Sequence, residues 1–103
     1  MSDEPRIGRE ARESAYKAAS VHIRDVIRRA TAADIIEPIA FALRQDMFLI
    51  DSVPELVGYA KGVDTTIRHF QMPEQHRYIL TTLLTAYTAE VFSQLGISPA
   101  HSK

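Results

Sequence analysis

Apolar residues recur every three to four positions in four stretches of the chain, and this spacing predicts four amphipathic α-helices. The first stretch covers residues 9–31, the second ends near residue 50, and the third and fourth cover residues 54–70 and 73–95. The strict alternation of apolar and polar residues that is typical of strands does not occur. The sequence therefore predicts an all-α fold, a small antiparallel bundle of about four helices.

Short polar motifs mark where the predicted helices begin and end. Asp34-x-x-Glu37 and Ser52-x-x-Glu55 have the spacing of capping boxes, in which the first side chain accepts a hydrogen bond from the backbone of the fourth residue. Gly96 lies between two large apolar residues, which is the pattern of a Schellman stop with glycine in the left-handed conformation. The fourth helix is therefore predicted to end there.

A chain of 103 residues fits one domain. We predict a single helical domain over residues 9–97, with flexible ends at residues 1–8 and 98–103. Gly58 and Gly62 each weaken the third helix by about 1 kcal/mol relative to alanine. The two glycines either allow another helix to approach closely or break the helix.

The second helix is the most apolar part of the chain, and it has apolar residues on two sides. Phe41 and Phe48 lie one heptad apart, next to Arg44 and opposite the main apolar stripe. A helix with two apolar faces must be covered twice, and the second cover is either another helix of the same chain or another molecule. Asp46 lies beside the main stripe, where we predict a paired or edge position rather than a buried carboxylate with a raised pKa. The main stripe consists of Ile36, Ile39, Leu43, Met47 and Ile50.

Charge is distributed unevenly although the net charge is only −1. Residues 6–29 carry seven Arg or Lys against three acidic residues, and residues 31–64 carry two basic residues against six acidic ones. The simplest interpretation is that the basic first helix packs near the acidic middle of the chain. A basic tract that contacts DNA is the alternative.

Motifs of catalysis are missing from the sequence. It holds no glycine-rich phosphate loop, no Gly-x-Ser-x-Gly motif, no His-Glu-x-x-His motif and no cysteine. We therefore predict a binding module without cofactor, metal or enzymatic activity, in a reducing cytoplasm and not in a membrane. A metal site formed by His69 and His76, with Glu74 between them, is a weaker alternative.

A second alternative is a DNA-binding regulator. Glu55-Leu56, Gly62-Val63-Asp64 and Thr66-Ile67-Arg68 follow the order of a helix-turn-helix motif in which residues 64–70 read the groove. The glycine falls one position late, and the acidic surroundings are unfavourable for phosphate contacts, so direct nucleic-acid binding is not the main prediction. The side chains that would face the groove are Thr65, Thr66, Arg68 and His69.

Several further motifs occur at a spacing that is typical of one protein family. They are Ala32-Ala33-Asp34-Ile35, Ala42-Leu43-Arg44, Leu49-Ile50-Asp51, Glu55-Leu56, Pro73 followed by Arg77-Tyr78-Ile79, and Leu95-Gly96-Ile97-Ser98-Pro99. In spacing and in chain length the sequence resembles the TraM-type quorum-sensing antiactivators over roughly residues 32–99. The pseudomonad antiactivator QslA fits the length as well.

The resemblance implies a small all-helical protein that homodimerises and binds a LuxR-type transcriptional activator. Binding would keep the activator from its promoter, so inhibition would be stoichiometric and would need no catalytic residue. A monomeric four-helix bundle of unrelated role is the alternative to this interpretation.

Two surfaces follow as predictions. We assign partner binding to Phe41, Arg44 and Phe48, because aromatic and arginine side chains supply most interface hot spots. The pattern also allows the inverse assignment, with the phenylalanines between the two chains of a dimer. The residues predicted to pack between chains are Leu80, Leu84, Tyr87 and Val91.

Overall fold

Four α-helices make up the computed structural model, which describes residues 3–100 and, for side chains, residues 8–31 and 33–96. Within residues 3–100 there is no strand, so the prediction of an all-α fold with four helices is confirmed. A single 3-10 turn at Ala32–Asp34 precedes the second helix. The helices are α1 (Asp3–Arg29), α2 (Ile36–Met47), α3 (Val53–His69) and α4 (Glu74–Ala100).

The two predicted capping boxes have different outcomes. Ser52 is the N-cap of α3, and its hydroxyl oxygen accepts a hydrogen bond from the backbone N–H of Glu55 at 3.3 Å. The same hydroxyl donates to the Glu55 carboxylate, also at 3.3 Å. At α2, by contrast, the N-cap is Ile35 and no side chain caps the helix, because Asp34 belongs to the preceding 3-10 turn. The prediction for Ser52 is confirmed, and the one for Asp34 is wrong.

Both long helices extend beyond their predicted ends. α1 begins at Asp3 rather than at residue 9, and α4 continues to Ala100 rather than ending at residue 95. No described residue has a positive φ, so Gly96 does not adopt the left-handed conformation that a Schellman stop requires. The predicted stop is therefore wrong. Residues 1–2 and 101–103 of the predicted flexible ends lie outside the described residues.

The most extensive contact in the fold is between α1 and α3. The two helices run parallel, since Gly58 lies against Arg12 and Gly62 lies one turn further along against Tyr16. A Cβ atom at Gly62 would lie 2.5 Å from the carbonyl oxygen of Tyr16, and one at Gly58 would lie even closer to that of Arg12. α3 continues unbroken through both positions. The glycines therefore allow close helix approach and do not break the helix.

The remaining contacts complete a bundle that is two helices thick. α3 and α2 both pack on α4, and α2 also packs on α1. The Cα atoms extend over 47 × 26 × 19 Å. All four helices contribute to one core. The largest fully buried apolar side chains are Ile23, Ile39, Leu43, Met47, Leu56, Val63, Ile67, Leu80 and Val91.

Candidate functional site

An open groove between α2 and α4 is the surface where the predicted partner-binding residues meet. α2 forms one wall of the groove. Its buried residues, among them Leu43 and Met47, face the core, so the opposite side of the helix faces solvent. The groove has a volume of about 680 Å³. We call it the α2–α4 groove, and it is lined by Phe41, Arg44, Gln45, Phe48, Tyr87, Glu90 and Gln94.

The two phenylalanines of this groove have different environments. Phe48 is half-buried and packs edge-to-face on Tyr87, with the ring centroids 5.8 Å apart. Edge-to-face packing of this kind adds about 0.5–1.5 kcal/mol beyond the burial of area. Phe41 projects from α2 with 62% of its surface exposed. Phe48 therefore contributes to the packing of α4 on α2, whereas most of the Phe41 side chain is left uncovered by its own chain.

The groove combines residues that the sequence assigned to two different surfaces. Phe41, Arg44 and Phe48 lie together as predicted for a partner-binding set, and their role in binding stays a prediction. Tyr87, assigned to a dimer contact, lines the same groove. Glu90 was not assigned to any site, although its charge is unusual in this part of the sequence. It is the only charged residue between Arg77 and Lys103.

The other residues assigned to a dimer contact lie in the core of their own chain. Leu80, Leu84 and Val91 are all buried, together with residues of α1, α2 and α3. They carry the inner apolar face of α4, which α2 and α3 already cover. A second chain could not reach these side chains in this conformation. The assignment of Leu80, Leu84 and Val91 to a surface between chains is corrected accordingly.

A polar cluster joins α1, α2 and α3 next to the groove. Oδ2 of Asp46 accepts two hydrogen bonds, one from the Tyr59 hydroxyl and one from Nδ1 of His22, each at 2.6 Å. Because a carboxylate can only accept, the proton of the second bond belongs to the His22 ring. The prediction of a paired or edge position for Asp46 is confirmed, since the carboxylate is paired and partly exposed. Sequence reasoning missed Tyr59, whose hydroxyl reaches Asp46 from another helix.

Tyr59 has a strongly raised pKa. Burial of the phenol is the main cause of the raised pKa. The hydrogen bond to Asp46 and the negative charge of that carboxylate raise the pKa further. In the unfolded chain a tyrosine ionises near pH 10, so above that pH the unfolded state loses a proton that the folded state keeps. Stability contributed by the neutral Tyr59 is thus complete below about pH 10 and falls as the pH rises further.

We therefore expect the free energy of unfolding to decrease above about pH 10, with a contribution from Tyr59 of up to about 1.4 kcal/mol per pH unit. Tyr59→Phe should remove this contribution, since phenylalanine has no proton to lose. Urea unfolding of both proteins between pH 9 and pH 11 measures the difference in slope. Tyr78→Phe, which removes an exposed hydroxyl, is the matched control. An identical slope for Tyr59→Phe and the unmodified chain would contradict the prediction.

The helix-turn-helix interpretation is wrong. α3 is one continuous helix from Val53 to His69, so no turn separates the two halves of the predicted motif. Of the four side chains predicted to face a groove, Thr66 is buried and donates a hydrogen bond to the carbonyl oxygen of Gly62 at 2.8 Å. Arg68 is paired with Asp64 at 3.0 Å. These residues belong to the packing and the surface of a single helix.

The histidines at the α3–α4 junction do not form a metal site with their neighbours. His69 packs edge-to-face on Phe70, with ring centroids 5.4 Å apart. Across the described part of the chain, no group of three or more histidine or acidic side chains is arranged to hold a metal ion. The same part of the chain contains no helix that is long and apolar enough to cross a membrane.

Comparisons with known proteins add no relative to this description. No protein-family model, curated protein or solved structure matches the chain. The candidate site is therefore defined by its own geometry, which is a groove of mixed polarity with three aromatic side chains, one arginine and one glutamate.

Proposed function

We propose that the chain is an antiactivator that binds a LuxR-type transcriptional activator by direct contact and keeps it from activating transcription. The observation that carries the proposal is the α2–α4 groove, in which Phe41 is 62% exposed beside Arg44. A partner that covered Phe41 would remove this apolar surface from water, which favours binding. The motifs that resemble TraM-type antiactivators support the choice of a LuxR-type partner.

The groove has the composition of a protein-binding hot spot. Aromatic and arginine side chains dominate such spots, and the surrounding polar residues exclude water and fix the register. Here Phe41 would be the apolar anchor that enters the partner. Arg44 and Glu90 offer one charge of each sign for pairing, and the amides of Gln45 and Gln94 can donate and accept hydrogen bonds.

Inhibition by this route is stoichiometric. The chain would occupy the activator in the cytoplasm, without catalysis or cofactor. The homodimer that the resemblance implies is a further part of the proposal. Its surface cannot be the inner face of α4, because Leu80, Leu84 and Val91 are enclosed by their own chain.

Co-purification with a panel of LuxR-type activators tests the proposal. We expect at least one activator to be retained, and Phe41→Ser and Arg44→Glu to weaken its retention by about 30-fold each, which corresponds to a hot-spot loss of about 2 kcal/mol. Val21→Ser is the matched control, since Val21 is an equally exposed apolar residue on α1. That variant should bind as the unmodified chain does.

Two results would count against the proposal. Failure to retain any activator in the panel would remove the assigned function. Retention that is unchanged by both Phe41→Ser and Arg44→Glu would remove the assigned surface. A promoter-binding assay completes the test, because a stoichiometric inhibitor stops promoter binding only when its concentration is comparable with that of the activator, whereas a catalyst would act at a much lower concentration.

A further inference from the structure

An open groove between α1 and α3 shares no residue with the α2–α4 groove. Its volume of about 480 Å³ lies within the range of about 300–1,000 Å³ that is typical of small-molecule sites. The contact between α1 and α3 is the most extensive in the fold, so packing holds both walls of the groove in place. We call it the α1–α3 groove, and it is lined by Arg12, Glu13, Tyr16, Lys17, Val57, Gly58 and Lys61.

Apolar side chains that the chain itself leaves uncovered run along α3 in this groove. Val57 is 43% exposed, and Val53, one turn earlier on the same side of α3, is 38% exposed. Tyr16 supplies apolar surface from α1, and Gly58, where α3 meets the backbone of Arg12, adds no side chain to the floor. The larger part of the lining is therefore apolar, as is usual for sites that bind small molecules.

Two lysines lie at one end of this apolar lining. Because α1 and α3 are parallel, with Gly62 against Tyr16, Lys17 and Lys61 lie within one turn of each other along the helix axes. Both side chains are exposed and line the groove. In the part of the chain whose side chains the structure describes, neither lysine forms an ion pair. Their charges are therefore available to a ligand.

The other charges near this groove offset one another in two pairs. Arg12 and Glu13 are neighbours on α1 and line the groove with opposite charges. Lys61 also lines the groove between α3 and α4, where Asp64 and Arg68 lie, but these two residues pair with each other at 3.0 Å. The excess charge of the α1–α3 groove is thus that of two lysines, which favours a ligand with a negative charge.

We propose that the α1–α3 groove binds a small amphiphile that has one anionic headgroup and a single alkyl chain, of the chemical class of a medium-chain carboxylate. The carboxylate accepts charge-assisted hydrogen bonds from the ammonium groups of Lys17 and Lys61. The alkyl chain lies along Tyr16 and Val57 toward Val53, where its burial removes apolar surface of both molecules from water.

The width of the apolar lining favours a single alkyl chain over a peptide helix. An α-helix with its side chains is about 10 Å wide, so a helix docked on Val53 and Val57 would also cover the charged side chains of Arg12 and Glu13. Removal of these two charges from water would be costly. An alkyl chain is narrower and can follow the valines while both charged groups keep their hydration.

This inference goes beyond the proposed function and does not depend on it. The α2–α4 groove belongs to the other two helices, and the experiments below use no activator. Their failure would leave partner binding at Phe41 untouched, and failure to retain an activator would leave the α1–α3 groove untouched.

Titration with octanoate, followed by amide chemical shifts and kept well below the concentration at which micelles form, tests the proposal. We expect saturable shifts at residues 12–17 and 57–61, with a dissociation constant on the order of 1 mM. Octyltrimethylammonium has the same chain and the opposite charge, and it should bind at least about tenfold more weakly. Acetate has the headgroup without the chain and should cause no saturable shift. Absence of saturable shifts with octanoate, or equal binding of octanoate and octyltrimethylammonium, would overturn the proposal.

Two variants locate the site. Lys61→Glu reverses one of the two charges at the headgroup and should raise the dissociation constant of octanoate by about tenfold or more. Val57→Asp places an acid against the alkyl chain and should abolish saturable binding. Both positions are exposed, so the fold should be kept. Arg28→Glu and Leu49→Asp make the same changes at exposed positions outside the groove and should leave the affinity within about twofold. Unchanged affinity in Lys61→Glu, or an equal loss in Arg28→Glu, would overturn the assigned site.

Vesicles distinguish a free amphiphile from a membrane surface. Phosphatidylglycerol presents anionic headgroups but keeps its alkyl chains inside the bilayer, where the α1–α3 groove cannot reach them. The chain should therefore remain in the supernatant when phosphatidylglycerol vesicles are sedimented. Sedimentation of the chain with these vesicles, lost in Lys61→Glu, would identify the groove as a membrane contact and overturn the assignment to a free amphiphile.

Discussion

Replacing Gly58 with alanine is expected to lower the free energy of unfolding by about 3 kcal/mol, at the upper end of the usual cost of overpacking. The added Cβ would overlap the backbone carbonyl oxygen of Arg12 on α1. Backbone cannot rotate away as a side chain can, so α1 and α3 must separate along their whole contact. The gain of about 1 kcal/mol in helix propensity offsets only part of this loss. A domain of this size has a total stability of about 5–15 kcal/mol.

Two other glycines can be compared with Gly58, one at a second close contact between the helices and one in open space. A Cβ at Gly62 would lie 2.5 Å from the carbonyl oxygen of Tyr16 and 3.0 Å from the Cβ of Ala19, so Gly62→Ala should also destabilise the fold, by about 1–2 kcal/mol. Gly96 has no neighbour within 4 Å, and Gly96→Ala should raise the stability of the monomer by about 0.5–1 kcal/mol. Urea unfolding at dilute protein measures all three. A neutral or stabilising Gly58→Ala would contradict the close packing of α1 on α3.

Features that depend on neighbouring residues could be predicted from the sequence. The four helices follow from local periodicity, and the Ser52 cap follows from a side chain and an amide three residues apart. The stop at Gly96 failed for a related reason. A glycine after a leucine permits the left-handed conformation but does not require it, and the described helix continues past it.

Features that depend on distant residues could not be predicted in the same way. Gly58 and Gly62 fitted either a helix break or a close approach until the register of α1 against α3 was known. The Asp46 cluster joins residues 24 and 13 positions away along the chain. The sequence indicated a paired or edge position for Asp46, but it did not indicate which side chains would pair with it.

The two walls of the candidate site differ in the same way in how far they could be predicted. The exposed side of α2 could be predicted, because Phe41, Arg44 and Phe48 lie within two turns of one helix. The opposite wall of the groove could not, because it depends on contacts between residues that are far apart in the sequence. Periodicity finds the apolar face of α4 but does not decide whether helices of the same chain or a second chain cover it. Leu80, Leu84 and Val91 were assigned to a contact between chains, and the structure buries them within their own chain.

Leu80→Ala tests this correction, and we expect it to lower the free energy of unfolding by about 3–4 kcal/mol. Leu80 is fully buried among residues of the common core. Loss of its side chain removes apolar contacts and leaves a cavity, which together cost about 2–5 kcal/mol for leucine in other cores. Because the side chain belongs to the core of each chain, the loss should be the same in dilute and in concentrated protein. Urea unfolding at two protein concentrations measures it.

Leu49→Ala is the matched control, since Leu49 is 82% exposed in the turn after α2. The same truncation there should change stability by no more than about 0.5 kcal/mol. The opposite pattern is expected for a residue between chains, because its truncation weakens association and the loss disappears on dilution. If the loss of stability caused by Leu80→Ala disappeared on dilution, the inner face of α4 would be the contact between copies after all.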